Sequence, residues 1–133
     1  MQTPKHQFLA LLILLCMTGA PITTIGQEDM SPDAKTLKAL VDAGSDLTKP
    51  HEFNHWFYFS SELNAQAAAK DLIAAGYSID MVGQTDDRKQ WRVLALNTIV
   101  PNLPDVEKQS AFLERLAHRH DGDYDGWETQ VEP

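Results

Sequence analysis

From Ser31 onward the spacing of apolar positions switches repeatedly between a helical period and a two-residue period, and each switch marks an element. Ser31-Pro32 sets a side-chain acceptor ahead of a proline suited to the first helical position. Leu37, Leu40 and Val41 then recur at helical spacing until Gly44. Residues 45–50 are turn-rich. From His51 to Phe59, the set Phe53, His55, Phe57 and Phe59 alternates with Asn54, Trp56 and Tyr58, which predicts a strand with rings on both faces. Ser60 and Ser61 open an alanine-rich helix with Ala65, Ala68, Ala69 and Leu72 on one stripe and Gly76 as its stop. Tyr77, Ile79 and Met81 alternate as a half-buried strand, and residues 83–89 form a polar loop. Trp91, Val93 and Ala95 then face one way and Arg92, Leu94 and Leu96 the other, up to Pro101. Asn102 and Pro104 start a third helix with Leu113, Leu116, Ala117 and His120 inward and a stop at Gly122; Trp127, Thr129 and Val131 predict a short last strand.

The order is one helix followed by βαββαβ. Strand, helix, hairpin, helix, strand is the split βαβ plan, so the expected class is α+β: a ferredoxin-like antiparallel sheet with two helices on one face, preceded by an extra N-terminal helix.

Ahead of this pattern, Lys5 precedes an uncharged apolar run from Phe8 to Met17. The run is short for a membrane span, which needs about twenty residues, and suits the hydrophobic region of a signal peptide. Thr24 and Gly26 put small residues where a signal peptidase reads. Residues 1–26 are therefore expected to be a signal peptide and 27–133 an exported domain, periplasmic or secreted. An uncleaved anchor is one alternative; a start at Met30, giving a cytoplasmic product, is another.

Charge narrows the partners. Nineteen acidic against eleven basic residues give a net charge of -8, and loss of Lys5 with the leader takes this to -9. Such a field repels phosphate backbones, so the rings of Trp56 and Tyr58 are not expected to stack nucleic-acid bases. Cys16 is the single cysteine and leaves with the leader, so the domain must stand on its core without a disulfide.

The segment Asp121-Gly122-Asp123-Tyr124-Asp125-Gly126 with Glu132 has the spacing of a calcium-binding EF-hand loop, and Asp121, Asp123, Asp125 and Glu132 are the candidate ligands of that alternative. Glu128, at the usually aliphatic eighth position, and the strand pattern of Trp127 and Val131 weigh against it. His118 and His120, two apart on a helix, diverge. His51 and His55 share a strand face, but no third zinc ligand is placed. There is no G-x-S-x-G and no glycine-rich phosphate loop, so neither catalysis nor a cofactor is expected.

Tyr124-Asp125-Gly126-Trp127, following Leu113-Glu114-Arg115-Leu116-Ala117 and an acidic-glycine turn, resembles the family named for regulator of ribonuclease E activity B (RraB). Gly44-Ser45-Asp46, His55-Trp56-Phe57-Tyr58-Phe59, Ala67-Ala68-Ala69, Leu72 and Gly76-Tyr77 agree with it. The resemblance spans residues 33–131. It implies a small acidic ferredoxin-like domain that binds an endoribonuclease and inhibits it without catalysis, hence a protein partner of the ribonuclease E-like kind. The sequence departs from the family in its apparent export leader and in lacking a long acidic C-terminal tail; an exported copy would need an extracytoplasmic partner. The expected contact patch is Trp56, Tyr58, Tyr124, Asp125, Gly126 and Trp127. Tyr124 and Trp127 are expected to bracket a tight turn and lock the last strand to the sheet.

Overall fold

The computed structural model describes residues 30–133; the expected leader, residues 1–26, lies outside them. The elements are helix α1 (Pro32–Asp42), strand β1 (His51–Phe59), helix α2 (Glu62–Ala74), strands β2 (Ser78–Gln84) and β3 (Trp91–Ile99), helix α3 (Leu103–Arg119) and strand β4 (Gly122–Thr129). Each helix starts at a capped end: the side chains of Ser31, Ser61 and Asn102 accept from the backbone N–H groups of Ala34, Asn64 and Asp105. Such caps contribute about 1 kcal/mol apiece.

The strands form one antiparallel sheet in the order β2-β3-β1-β4. This is an α+β architecture compatible with the ferredoxin-like plan. Strand alternation sends Phe57, Phe59, Val93 and Ala95 to one face, where Ala65, Ala68 and Leu72 of α2 and Leu113, Leu116 and Ala117 of α3 close over them. The small alanines let α2 approach the sheet closely. α1 joins the same side. Its Leu37 and Leu40 meet Phe53, Val106 and Trp127 in a second cluster at the β4 end. Burying a leucine as completely as Leu40, Leu72, Leu113 and Leu116 contributes about 2 kcal/mol each.

The structure corrects three local expectations. α3 ends at Arg119, and the left-handed residue that follows it is not Gly122 but Asp121, at φ 57°, a region that aspartate tolerates better than most side chains. Gly122 serves another need. A Cβ there would lie 2.7 Å from the Tyr58 carbonyl oxygen and closer still to the Phe59 ring, so only a residue without a side chain lets β4 approach β1. In β2, the register shifts between Ile79 and Met81, so Ile79 and Val82 pack on the core and Met81 does not follow Ile79 inward.

The third correction concerns Tyr124–Trp127, which lie within a strand and not in a turn. Tyr124 pairs with Phe57 and Trp127 with His55, so two residues of β4, Asp125 and Gly126, stand opposite Trp56 alone. This is a β-bulge, and Gly126 supplies its positive φ of 100°. The extra residue reverses the alternation, so Tyr124 and Trp127 both point to the helix side although they are three apart.

Gly122→Ala should lower stability by about 1–3 kcal/mol, the usual range for forcing atoms into a packed interface. Gly83→Ala, where an added Cβ meets nothing within 4 Å, should be near neutral. Urea unfolding of the two variants checks the contrast.

Candidate functional site: the acidic groove and the polar chain beneath it

The bulge anchors both rings of the Tyr124–Trp127 segment. The Trp127 indole lies 4.5 Å, centroid to centroid, from Phe53, and its Nε1–H donates to Asp33 Oδ1 of α1 at 2.8 Å. Across the first turn of the same helix, Ser31 Oγ donates to Glu107 Oε2 of α3 at 2.5 Å. Between α1, α3 and β4 a groove of about 420 Å³ opens, lined by Asp33, Glu107, Glu114 and Asp125 together with Tyr124, Gly126 and Trp127. Four carboxylates face it, and no Lys or Arg is among the described residues lining it. Burial pushes the Asp125 carboxyl up from its ordinary range, and Asp123 adds to the shift. A site that already resists negative charge favours a cation.

Only part of the expected contact patch comes together. Tyr124, Asp125, Gly126 and Trp127 share this groove, whereas Trp56 and Tyr58 point to the opposite face of the sheet. There the Arg92 guanidinium sits 5.6 Å from the centre of the Trp56 ring, a cation–π arrangement. The six residues do not form one surface, because Trp56 stands opposite the bulge and strand alternation sends its side chain away from the helices.

The calcium-loop residues are also dispersed. Asp121 follows the end of α3, Asp123 is exposed, Asp125 faces the groove, and Glu132 lies beyond β4 with its N–H bonded to Ser45 Oγ at 2.9 Å. Strand pairing draws out the spacing that a cation-binding loop would need to curl. Among the described residues no group of three or more His, Cys, Asp or Glu is placed to hold a metal ion.

His51 and His120 have structural partners. His51 bonds Ser45 Oγ at 2.6 Å and the Lys49 carbonyl oxygen at 2.8 Å. Because that carbonyl can only accept, His51 Nδ1 donates to it and Nε2 accepts from the serine. Ser45 Oγ in turn receives the Glu132 N–H, so this serine–histidine pair ties the end of the chain to the α1–β1 connection. His120 pairs with Asp71 of α2 at 2.7 Å, and that hydrogen bond is the main cause holding the Asp71 carboxyl below its ordinary range. His118 is exposed.

Sequence reasoning missed the polar chain beneath the groove. His55 is fully buried, with Nδ1 2.9 Å from the Tyr124 hydroxyl and Nε2 2.8 Å from Asn97 Oδ1. Asn97 Nδ2 donates to Gln109 Oε1 at 2.6 Å, and the Tyr77 hydroxyl donates to the same oxygen at 3.0 Å. The directions follow from the ends. Asn97 Oδ1 accepts, so His55 carries its proton on Nε2, and Nδ1 accepts from Tyr124. The readable signal was two polar residues, His55 and Asn97, within inward-facing strand stripes.

This arrangement needs a neutral imidazole. Burial lowers the His55 pKa from 6.5 to about 4, against a smaller opposing effect of the Asn97 bond. Between these values the unfolded chain takes up a proton that the native protein refuses. The contribution is therefore whole above pH 6.5 and is lost as the pH falls toward 4, by about 3 kcal/mol in all. Asp125, whose pKa is raised, gives the opposite slope but is unchanged by substitution at His55. His55→Gln should thus flatten the fall between pH 6.5 and 4 in urea unfolding, relative to the parent.

Residues 31–129 match the family model described as "Regulator of ribonuclease activity B". Proteins of that name from Alteromonas mediterranea and Pseudoalteromonas atlantica are similar to this chain. The first is 29% identical over 102 residues, covering 74% of this chain and 77% of the relative. The second is 28% identical over 98 residues, covering 71% and 84%. A third, from Idiomarina loihiensis, is 23% identical over 106 residues, covering 77% and 83%. With the family model spanning the whole of α1 to β4, this chain belongs to the RraB family, regulators of ribonuclease activity.

Proposed function

We propose that this protein is a non-catalytic regulator that works by binding, and that the acidic groove is its contact surface. The observation that carries the reading is the groove itself: four carboxylates converge beside two ordered aromatic rings in a chain of net charge -8. An arginine fits such a place best, since its planar fork pairs with a carboxylate while its face lies on a ring. The partner is accordingly a protein with a basic segment, and family membership makes a ribonuclease its class. Asp33 and Glu107 are held by hydrogen bonds from Trp127 and Ser31, so part of the groove is ordered before a partner arrives. That preorganisation lowers the entropic cost of association.

We further propose that residues 1–26 direct export, so that the partner is extracytoplasmic. Mass spectrometry of the native product decides this: a chain beginning at Gln27 supports export, whereas one beginning at Met30 or Ser31 assigns the domain to a cytoplasmic ribonuclease.

The contact surface is tested with a fluorescent arginine-rich peptide. The triple variant Glu107→Gln, Glu114→Gln, Asp125→Asn should bind it at least tenfold more weakly than the parent, with a shallower salt dependence. Equal affinity would remove the groove as the contact surface. With the cognate ribonuclease, the parent should slow RNA cleavage and the triple variant should not.

A further inference from the structure

A second groove lies on the other flank of α3, between that helix, the α2–β2 corner and the end of β3. It measures about 610 Å³ and is lined by Lys108, Gln109, Phe112 and Arg115 of α3, facing Tyr77 and Ile99. Asp105 also borders it, but its carboxylate accepts from Asn102 Nδ2 at the helix cap. Charge is thus sorted across α3, with Glu107 and Glu114 toward the first groove and Lys108 and Arg115 toward the second. Neither Lys108 nor Arg115 has an ion pair among the described residues.

Gln109, which lines this groove, carries an unused donor just beneath its surface. Gln109 Oε1 receives both the Asn97 amide and the Tyr77 hydroxyl. Those two bonds fix the amide orientation, because turning it over would set one N–H group against another. Gln109 Nε2 is left buried and without a hydrogen-bond partner. A buried donor without an acceptor is unfavourable, and native structures rarely keep one without a reason. Two cations, a donor amide and apolar walls from Phe112 and Ile99 match one chemistry: a carboxylate carried on an apolar chain.

We propose that this second groove binds a glutamate or aspartate side chain within an apolar segment of a protein partner, with Gln109 Nε2 donating to the carboxylate and Lys108 and Arg115 neutralising it. Occupancy would also be felt at a distance. Gln109 is joined through Asn97 and His55 to Tyr124 in the first groove, so a bond at Nε2 polarises the whole chain. The site is separate from the acidic groove and does not rest on the function proposed for it.

The probe is a blocked, fluorescently labelled pentapeptide of alternating leucine and glutamate, titrated into the intact protein, with a glutamine-for-glutamate peptide as control. Saturable binding is expected, at least tenfold weaker for the control peptide and for each of Gln109→Glu and the double variant Lys108→Ala, Arg115→Ala. Gln109→Glu keeps an acceptor for Asn97 and Tyr77 while removing the donor, and the double variant alters only surface cations. The His55 ring ¹⁵N resonances should move when the peptide binds the parent. Affinity should be unchanged in Glu107→Gln, Glu114→Gln, Asp125→Asn, which separates this site from the first groove. The proposal is overturned by absence of saturable binding at millimolar peptide, by equal binding of the glutamine peptide, or by undiminished affinity in Gln109→Glu.

Discussion

One extra residue in β4 governs how the molecule is put together. With Asp125 and Gly126 both opposite Trp56, the rings on either side of the bulge turn the same way. Tyr124 reaches His55, and Trp127 reaches Phe53 and Asp33. A regular strand would send one of these rings to the far face, removing either the hydroxyl that completes the His55 pair or the indole that holds α1. The bulge is therefore the joint between sheet, helices and surface: it seats α1, satisfies a buried imidazole and shapes the acidic groove with the same four residues.

The polar chain from Tyr124 to Tyr77 lies between two grooves of opposite character. Buried polar groups stabilise little unless all of them are paired, but when paired they define one arrangement of the surrounding core. Here each hydrogen bond of the chain has a direction, and Gln109, whose Nε2 is buried without a partner, also lines the second groove. With both ring nitrogens engaged and its pKa lowered to about 4, the buried imidazole stays neutral near neutral pH and the chain keeps one pattern of bonds.

Much of the fold was legible in the sequence because it depends on local chemistry. The capping residues Ser31, Ser61 and Asn102, the alternation through β1 and the alanine stripe of α2 each announce their element without reference to the rest of the chain. The bulge could not be read in that way. Strand alternation predicts that Tyr124 and Trp127, three apart, point oppositely, so the pattern suggested a turn; only counting residues against β1 reveals the reversal. Gly122 misled for a related reason, since a glycine after a helix resembles a stop, while its actual role is set by the Phe59 ring across the strand pair. Trp56 and Tyr58 were joined to the later segment on residue type alone, and strand geometry places them on the other face.

β4 is an outer strand of the sheet, and an outer strand offers unpaired backbone groups to any passing extended chain. Proteins deter such pairing by kinking the strand and by placing charges along it. Here Gly126 does the first, and Asp123 and Asp125 do the second. The residues that make the groove attractive to a cation thus also keep neighbouring copies from zipping onto the sheet, and a substitution that neutralised them would expose the protein to aggregation.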